Sequence, residues 1–551
     1  MDTAQFMYFS IIRFILPIIS ILLLFINIRL ILHNLKRKTL AKFAIESYRD
    51  VVRIKSSECL LGSSIICDVR LKSPTVAKQH ALLTLTEYGF KLTPLSEHNK
   101  VFVNGYRVEG EAFLNSGDKI KIGNIILQIA INPDISIKSI AKIDKSAKRN
   151  RLCAAGLLSA FQIFVACSLS FAKKEDIGIY FGVFGGMIVL EWLYFIIRSF
   201  KSNFGVEITA LFLTSIGFCV AANIDNSVII KQSIMFLVGF VSFIILSFLL
   251  KKLNFVEKMR IPVMILSTLL LFYNVFFGIY INGSKNWIAI GNFSLQPSEF
   301  IKVAVVFVSA CSLDKLIKSK NLLTFLGFMF ICLCSLAIMR DFGTAVVYFG
   351  AMIMILCLRL CDIKIVAALI GSASVIAVLI AKFIPYITAR FATYLHAWDY
   401  ATSGGYQQTQ TMMATASGGL LGMGIGQGNL SNVSAADTDL VFGMVAEEFG
   451  LIFALCSALM FALFMVYSAL CIPRTRSIYY AVTSCAAAGI YIFQATLNIF
   501  GSLDLLPLTG VTLPFISNGG SSMIAAWMLL AFIKCGGTEF VSINRKEAEN
   551  I

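Results

Sequence analysis

The sequence predicts an α-helical polytopic membrane protein with an all-β sandwich inserted near its N-terminus. Hydrophobic residues make up 58% of the 551 and charged residues only 14%, against roughly 25% charge in soluble domains. Mean hydropathy is +0.80. Apolar runs long enough to cross a bilayer recur along the chain and are interrupted between residues 47 and 132. The formal net charge of +16 would suit a nucleic-acid partner, but Lys and Arg fall in short segments between apolar runs rather than on one basic face. They read as topology signals, and no nucleic-acid partner is expected.

From the N-terminus, the run Phe6 to Leu32 is too long for a signal-peptide core, lacks a small-residue cleavage site, and is followed by Lys36, Arg37 and Lys38. Residues 1–34 are expected to remain as a transmembrane anchor with a cytoplasmic C-terminal end. Within 47–132, short alternating stretches (Val51–Lys55, His80–Thr86, Lys119–Ile129) are separated by turn residues such as Asn104-Gly105 and Ser116-Gly117-Asp118. That spacing predicts a soluble β-sandwich. Residues 133–152 are polar and basic without an apolar period, and read as a linker.

Further apolar runs lie at 153–171, 177–198, 205–222, 229–250, 261–281, 297–315, 322–339, 343–359, 364–385, 440–471, 478–500 and 514–534. With the anchor they make about thirteen spans. If the linker is cytoplasmic, the inside loops carry Arg198 and Lys201; Lys251, Lys252, Lys258 and Arg260; Lys315, Lys318 and Lys320; Arg359 and Lys364; and Arg474 and Arg476. This satisfies the positive-inside rule. The same count puts 282–295, 340–343, 389–439 and 501–513 outside, and leaves 541–551 as a cytoplasmic tail. The fourteen cysteines, among them Cys332, Cys334, Cys456 and Cys485, show no metal-type spacing and read as small core residues.

Four stretches carry candidate chemistry. Gly283 to Gly291, with Lys285 and Trp287, leads into Gln296-Pro297-Ser298-Glu299 and Lys302. Pro297 suits a helix start, and Glu299 and Lys302, three apart on one face, predict an inward pair lining a polar cavity. Arg340-Asp341-Phe342-Gly343-Thr344 forms a very short turn between two spans. The long segment 389–439 holds Arg390, Gln407 and a glycine-dense stretch, and ends in Asp437-Thr438-Asp439, with Glu447 and Glu448 two turns later. Carboxylates at the mouth of a membrane helix mark a site or pathway. Lastly, Leu506 to Ser522 interrupts the final apolar region with Pro and Gly, a broken helix or re-entrant turn that needs protein or a water-filled cavity beside it.

In this order the motifs resemble the SEDS family (shape, elongation, division and sporulation), over residues 205–540. The resemblance implies a ten-helix core, here with about three extra transmembrane helices, that polymerises lipid II beside a class B penicillin-binding protein. By it, the Q-P-S-E motif falls on Gln296–Glu299 and the P-D-x-G-T motif on Asp341–Thr344, with Arg340 in place of the proline. The family's essential external aspartate, in a H-T-D-F-I-F context, falls on Asp439, with Asp437 in place of the histidine and Leu440 in place of the aromatic. The L-P-x-x-S-x-G-G motif covers Leu513–Gly520, with Asn518 where tyrosine is common. Asp439 is thereby the expected catalytic base. Lys285, Trp287, Gln296, Ser298, Glu299, Lys302, Asp341, Arg390, Gln407, Glu448 and Ser517 are the expected substrate-binding set.

The sandwich resembles FHA domains, readers of phosphothreonine, through Gly62, His80-Ala81, Asn99, Phe102 to Gly105 and Gly117-Asp118. A typical member has Arg after the first glycine and Ser three before the histidine; this chain has Ser63 and Ala77. Without the guanidinium a phosphate lacks its bidentate partner. The face formed by Ser63, Lys78, His80, Asn99 and Asn104 is therefore expected to dock a cytoplasmic protein, with phosphoprotein reading as the alternative.

The implied reaction joins two lipid-linked disaccharide-peptides, an acceptor hydroxyl displacing undecaprenyl pyrophosphate. A carboxylate in an external cavity can take the hydroxyl proton. Arg390, Lys302, Lys285 or a divalent cation, Mg or Mn, would balance the leaving pyrophosphate. No organic cofactor site is visible. Two rivals remain: a transporter that flips the lipid-linked precursor, since buried charges and broken helices also mark substrate pathways, and a weakened scaffold that recruits cell-wall proteins.

Overall fold

Alternating side chains build the sandwich: Ile120 and Ile122 point inward while Lys119 and Lys121 face solvent. The computed structural model describes residues 3–33, 41–45, 50–54, 58–63, 67, 69–71, 73–86, 89–95, 100–131, 137–173, 177–198, 204–250, 253–281, 283–290, 293–313, 319–360, 367–368, 370–371, 382, 385–472 and 478–536. These form two compact units, one spanning Met1–Leu30, Arg151–Ile472 and Tyr479–Gly537, the other built mainly on Ile31–Asn150.

The second unit contains β1 (Ala41–Ile45), β2 (Asp50–Ile54), β3 (Glu58–Gly62), β4 (Val69–Arg70), β5 (Ala81–Thr86), β6 (Gly89–Pro94), β7 (Val101–Val103), β8 (Tyr106–Arg107), β9 (Ala112–Leu114), β10 (Lys119–Ile122) and β11 (Ile125–Ile131). One sheet runs β2-β1-β11-β10-β7-β8 and the other β4-β3-β5-β6-β9. Phe43, Leu61, Leu83, Phe90, Leu92, Ile120, Leu127 and Ile129 fill the space between them. Asn104 and Gly105 both take positive φ, 53° and 90°, as a two-residue type I′ hairpin turn demands. Two expectations change. The sandwich begins at β1, ahead of residue 47, and Lys119–Ile129 is a hairpin, with Ile122 paired to Ile125 across a turn at Gly123.

The first unit holds α1 (Thr3–His33), most of α2 (Ile137–Lys173), α3 (Ile177–Ile197), α4 (Gly205–Ile224), α5 (Asn226–Leu249) and α6 (Leu253–Phe277), then the small sheet β12 (Ile279–Ile281), β13 (Ser284–Ile290) and β14 (Phe293–Leu295). After it come α7 (Pro297–Leu313), α8 (Ser319–Ile338), α9 (Phe342–Leu360), α10 (Pro385–Thr393), α11 (Tyr406–Gly418), α12 (Val441–Phe449), α13 (Leu451–Cys471), α14 (Ile478–Ser502) and α15 (Gly520–Gly536). Among the described residues eight helices are long and apolar enough to cross a membrane, with three shorter apolar helices besides. α4 is the central one, buried from Gly205 to Ala222.

Close packing holds α5 against α15. A Cβ on Gly239 would lie 3.2 Å from atoms of Ile524 and Trp527, and the Trp527 ring sits edge-on among Phe236, Phe240, Phe243 and Phe515. Lys534 of α15 meets Glu207 of α4 at 2.6 Å in full burial, and Tyr194 donates to the same carboxylate at 3.0 Å.

Several span boundaries differ from the sequence pattern, each for a local reason. Residues 137–152 are the start of α2 rather than a linker, because Lys and Arg are good helix formers and no Gly or Pro interrupts them. The run 440–471 divides at Gly450, φ 90°, whose backbone is pressed against Leu420 and Gly422. The run 261–281 ends its helix at Phe277 and continues as β12. The last helix starts only at Gly520, since Pro507 and Pro514 remove donors that a helix would need. Most of 364–385 lies outside the described residues.

The Glu207–Lys534 pair gives a direct test of bundle packing. Lys534→Met leaves Glu207 buried without its countercharge, and a stability loss of about 3–5 kcal/mol is expected. Thermal melting in detergent should show a much smaller loss for the double variant Lys534→Met/Glu207→Leu.

Candidate active site

Asp439 sits where three stretches without continuous helix meet: 434–440, the loop 503–519 between α14 and α15, and the segment that follows α10. Asn498, from the apolar face of α14, donates through Nδ2 to the carbonyls of Val511 at 2.8 Å, Asp439 at 3.1 Å and Thr438 at 3.4 Å. Ser517 Oγ donates to the Thr438 carbonyl at 2.6 Å and accepts from the Leu513 N–H at 2.8 Å. Gln232 of α5 steadies the same loop by donating to the Ser517 carbonyl at 3.2 Å. Asp504 accepts from the N–H groups of Leu395 and Ala397, at 3.1 and 3.2 Å. Three residues around this junction, Ala435, Asp504 and Phe515, hold φ of 61°, 59° and 66°. Such strain persists only where the surroundings over-determine it, and it clusters at functional sites.

The Asp439 residue keeps part of its surface open. Burial nonetheless pushes its carboxyl up to about 6; Thr438 hydrogen bonding and the Arg390 charge pull it down, and Asp437 adds to the rise. Gly510, φ 69°, leaves room beside it, a Cβ there falling 3.4 Å from Oδ2. Arg390 donates from Nη1 to the Leu508 carbonyl at 2.6 Å, which fixes the guanidinium next to this carboxylate.

A second polar cluster joins the first through the 509–511 backbone: a Cβ on Gly343 would lie 2.6 Å from the Thr509 carbonyl oxygen. Here Glu299 and Lys302 pair at 2.6 Å, both buried. Asn286 donates to Ser298 Oγ at 2.9 Å and to Asp341, and receives Asn274 at 3.1 Å. Asp341 caps α9 by accepting the Thr344 N–H at 3.1 Å. Burial raises its carboxyl, and the Thr344 N–H offsets part of that rise. Tyr348 donates to the Ser298 carbonyl at 2.6 Å, and the Gln296 N–H reaches Ser521 Oγ at 3.0 Å.

Residues 191–535 match the FtsW/RodA/SpoVE family of cell cycle proteins. The chain belongs to that family. Stage V sporulation protein E of Bacillus subtilis (strain 168) is 30% identical over 267 residues, 46% of this chain and 72% of that protein. The probable peptidoglycan glycosyltransferase FtsW of Nitrosococcus halophilus (strain Nc4) is 34% identical over 300 residues, 51% of this chain and 76% of that protein. A chain of a peptidoglycan synthase complex that coordinates polymerization and crosslinking shares the fold, with TM-score 0.52 and 24% identity over 61% of this chain and 97% of that one. Residues 59–123 match the FHA domain. With its apolar helices, this FtsW/RodA/SpoVE member is a multi-pass membrane protein carrying an FHA domain.

Within this family core, the expected site residues separate into groups. Asp439, Arg390 and Ser517 share one junction; Gln296, Ser298, Glu299, Lys302 and Asp341 share the adjoining cluster. Gln407 donates to the Ser434 carbonyl at 2.9 Å and so supports the turn leading to Asp439. Lys285 caps the end of α6, donating to the carbonyls of Val275 and Phe276 at 2.8 and 3.1 Å, and Trp287 pairs across the sheet with Ile279. Glu448 is buried and accepts both bonds from Asn223 at 2.7 Å, while Glu447 accepts the Asn429 and Leu430 N–H groups at 3.0 and 3.1 Å. These carboxylates staple the glycine-rich stretch 418–430 against α12.

In the FHA domain, Ser63 is partly open and Lys78 exposed. His80 is buried, with Nδ1 accepting the Ala77 N–H at 3.0 Å. Burial lowers its pKa, against a hydrogen bond to Lys100 that raises it. Asn104 ties the β7–β8 turn to Asp118 and Lys119, at 2.9 Å each. Asn99 lies outside the described residues.

Sequence reasoning missed Asn498, Asn286, Asn274 and Gln232. For Asn498, Asn274 and Gln232 the available signal was an amide inside an apolar run, which in a membrane demands a partner; Asn286 lies in a polar loop and carried no such signal. Asn498→Leu, close in volume, strips three carbonyls of their donor. A loss of about 1–3 kcal/mol is expected there, read as about a five-fold or greater fall in hydrogen-exchange protection across 503–519 with the distant helices unchanged.

Proposed function

We propose that this chain is a peptidoglycan glycosyltransferase that polymerises a lipid-linked disaccharide-peptide, with Asp439 as general base. The observation that carries this is a single shielded carboxyl, raised to about 6 by burial, beside a fixed guanidinium at a strained, hydrogen-bonded junction. The named relatives supply the reaction class.

The acceptor sugar hydroxyl gives its proton to the Asp439 carboxylate as its oxygen bonds to the donor's anomeric carbon. The anomeric carbon–oxygen bond to undecaprenyl pyrophosphate breaks in the same displacement, and the pyrophosphate leaves with the bonding pair. Arg390 faces that developing charge. Lys302 is committed to Glu299, and Lys285 to two carbonyls, so neither is assigned to the pyrophosphate. Among the described residues no group of three or more His, Cys, Asp or Glu side chains could hold a metal. A Mg or Mn ion would instead be held by the pyrophosphate oxygens with one or two carboxylates, where it would offset the leaving charge, and no step is routed through it.

The basic residues between spans support a topology with the FHA domain cytoplasmic and the Asp439 segment outside, next to a class B penicillin-binding protein. The FHA domain is assigned to docking a cytoplasmic protein, because Ser63 supplies no bidentate partner to a phosphate.

Purified protein given labelled lipid II, with and without its transpeptidase partner, should yield sized polymer, and Asp439→Ala should yield none. Lipid scrambling in vesicles without polymer would replace the enzyme by a transporter. Because Asp439 acts only when unprotonated, rate should rise with pH through about 6, and Asp439→Glu should move that limb while keeping some activity. In a phosphothreonine peptide library the FHA domain should bind weakly, with Ser63→Arg strengthening capture about ten-fold or more; strong capture by the unaltered domain would overturn the docking assignment.

A further inference from the structure

Two of the family-motif positions that differ in this chain, Asp437 and Asn518, are 81 residues apart and touch. Asn518 Nδ2 donates to Asp437 Oδ2 at 2.7 Å, and the Asn518 N–H donates to the Asp437 carbonyl at 2.8 Å. The backbone bond is open to any residue but proline at 518, whereas the bond to the carboxylate needs the amide and turns the contact into a two-point clamp. It fastens the chain on one side of Asp439 just as Ser517 fastens the intervening Thr438 carbonyl at 2.6 Å.

The clamp decides where a second carboxylate stands. Asp437 is close enough to Asp439 to favour the protonated form of its carboxyl, in opposition to Arg390 of α10. Among the described residues the other elements packed here present neutral groups to the carboxyl: α14 presents Asn498, and the 503–519 loop presents Gly510 while its Asp504 accepts from Leu395 and Ala397. A like charge two residues away, held still, is a device for keeping a base from being too weak.

We propose that Asp437 and Asn518 act as a coupled positioning pair that sets the placement and charge surroundings of Asp439. The inference rests on Asp439 being the base, and the pair itself touches neither sugar nor pyrophosphate.

The test compares the full-length protein with D437N, N518A and the double variant, each assayed for lipid II polymer across pH. D437N should keep polymerisation while the pH of half-maximal rate falls by about half a unit, a roughly threefold change in proton affinity. N518A should shift it the same way, and the double variant no further than D437N alone. An unmoved limb in D437N overturns the proposal, as does a double variant whose shift is the sum of the singles. A second readout is carbodiimide labelling of Asp439, which requires the protonated carboxyl, followed by mass spectrometry over the same pH range. It keeps the proposal decidable for a variant that makes no polymer. Wild type without polymer but with a labelling midpoint that moves in D437N would sink the polymerase assignment and leave the pair standing.

Discussion

The side-chain amide of Asn498 bridges the carbonyls of Val511, Asp439 and Thr438, and the geometry of the Asp439 junction follows from that bridge. At the end of an apolar bundle, backbone outside a helix or sheet has few solvent partners, and each unsatisfied carbonyl costs several kcal/mol. Segments 434–440 and 503–519 cannot satisfy one another as strands, since Pro507 and Pro514 interrupt the second. A side chain from α14 supplies the missing donor instead, with Ser517 and Gln232 adding theirs. Held in this way, Ala435, Asp504 and Phe515 keep positive φ that would otherwise relax.

That constraint also separates charges that hold the fold from charges free for chemistry. Glu207 pairs with Lys534, Glu299 with Lys302 and Glu448 with the Asn223 amide, and all three carboxylates are buried. The first joins α15 to α4 and the third joins α4 to α12, while Glu299 and Lys302 neutralise each other within α7. Asp439 stands in a different setting: Arg390 donates to the Leu508 carbonyl and its charge favours the carboxylate, while burial opposes it. A base needs a carboxylate that is shielded yet not consumed by a partner. The junction anchors the backbone at the acid, through Asn498 to the Asp439 carbonyl and Ser517 to the Thr438 carbonyl.

How much was legible depended on whether a feature was periodic or relational. Long apolar runs and the Asn104-Gly105 turn were readable because composition and local backbone demands determine them. The pair Glu299–Lys302 was readable from three-residue spacing alone. Span ends were not: Gly450 stops a helix because Leu420 and Gly422 press on it, a contact between distant stretches. The α2 start was hidden because a basic segment with helix-forming residues resembles a linker until it is continuous with an apolar helix. Lys285 and Glu448 looked like substrate ligands by charge, but Lys285 ends α6 and Glu448 is satisfied by Asn223, bonds that no spacing rule reports.

The same distinction explains Arg340, which occupies the proline position of a family motif. Its φ is 60°, whereas a proline ring holds φ near −65°. Its N–H also donates to the Ala337 carbonyl at 3.1 Å, a bond that proline lacks the hydrogen to make. The change is thus one of backbone as much as of side chain: α8 closes in a left-handed turn and delivers Asp341 directly to the start of α9. There the Asp341 carboxylate accepts the Thr344 N–H at 3.1 Å, so the acid keeps a helix-capping position although the chain reaches it by a different route. Substituting proline back would have to displace either that turn or the Asn286–Asp341–Thr344 network built on it, and through Gly343 and the Thr509 carbonyl the disturbance would reach the loop beside Asp439.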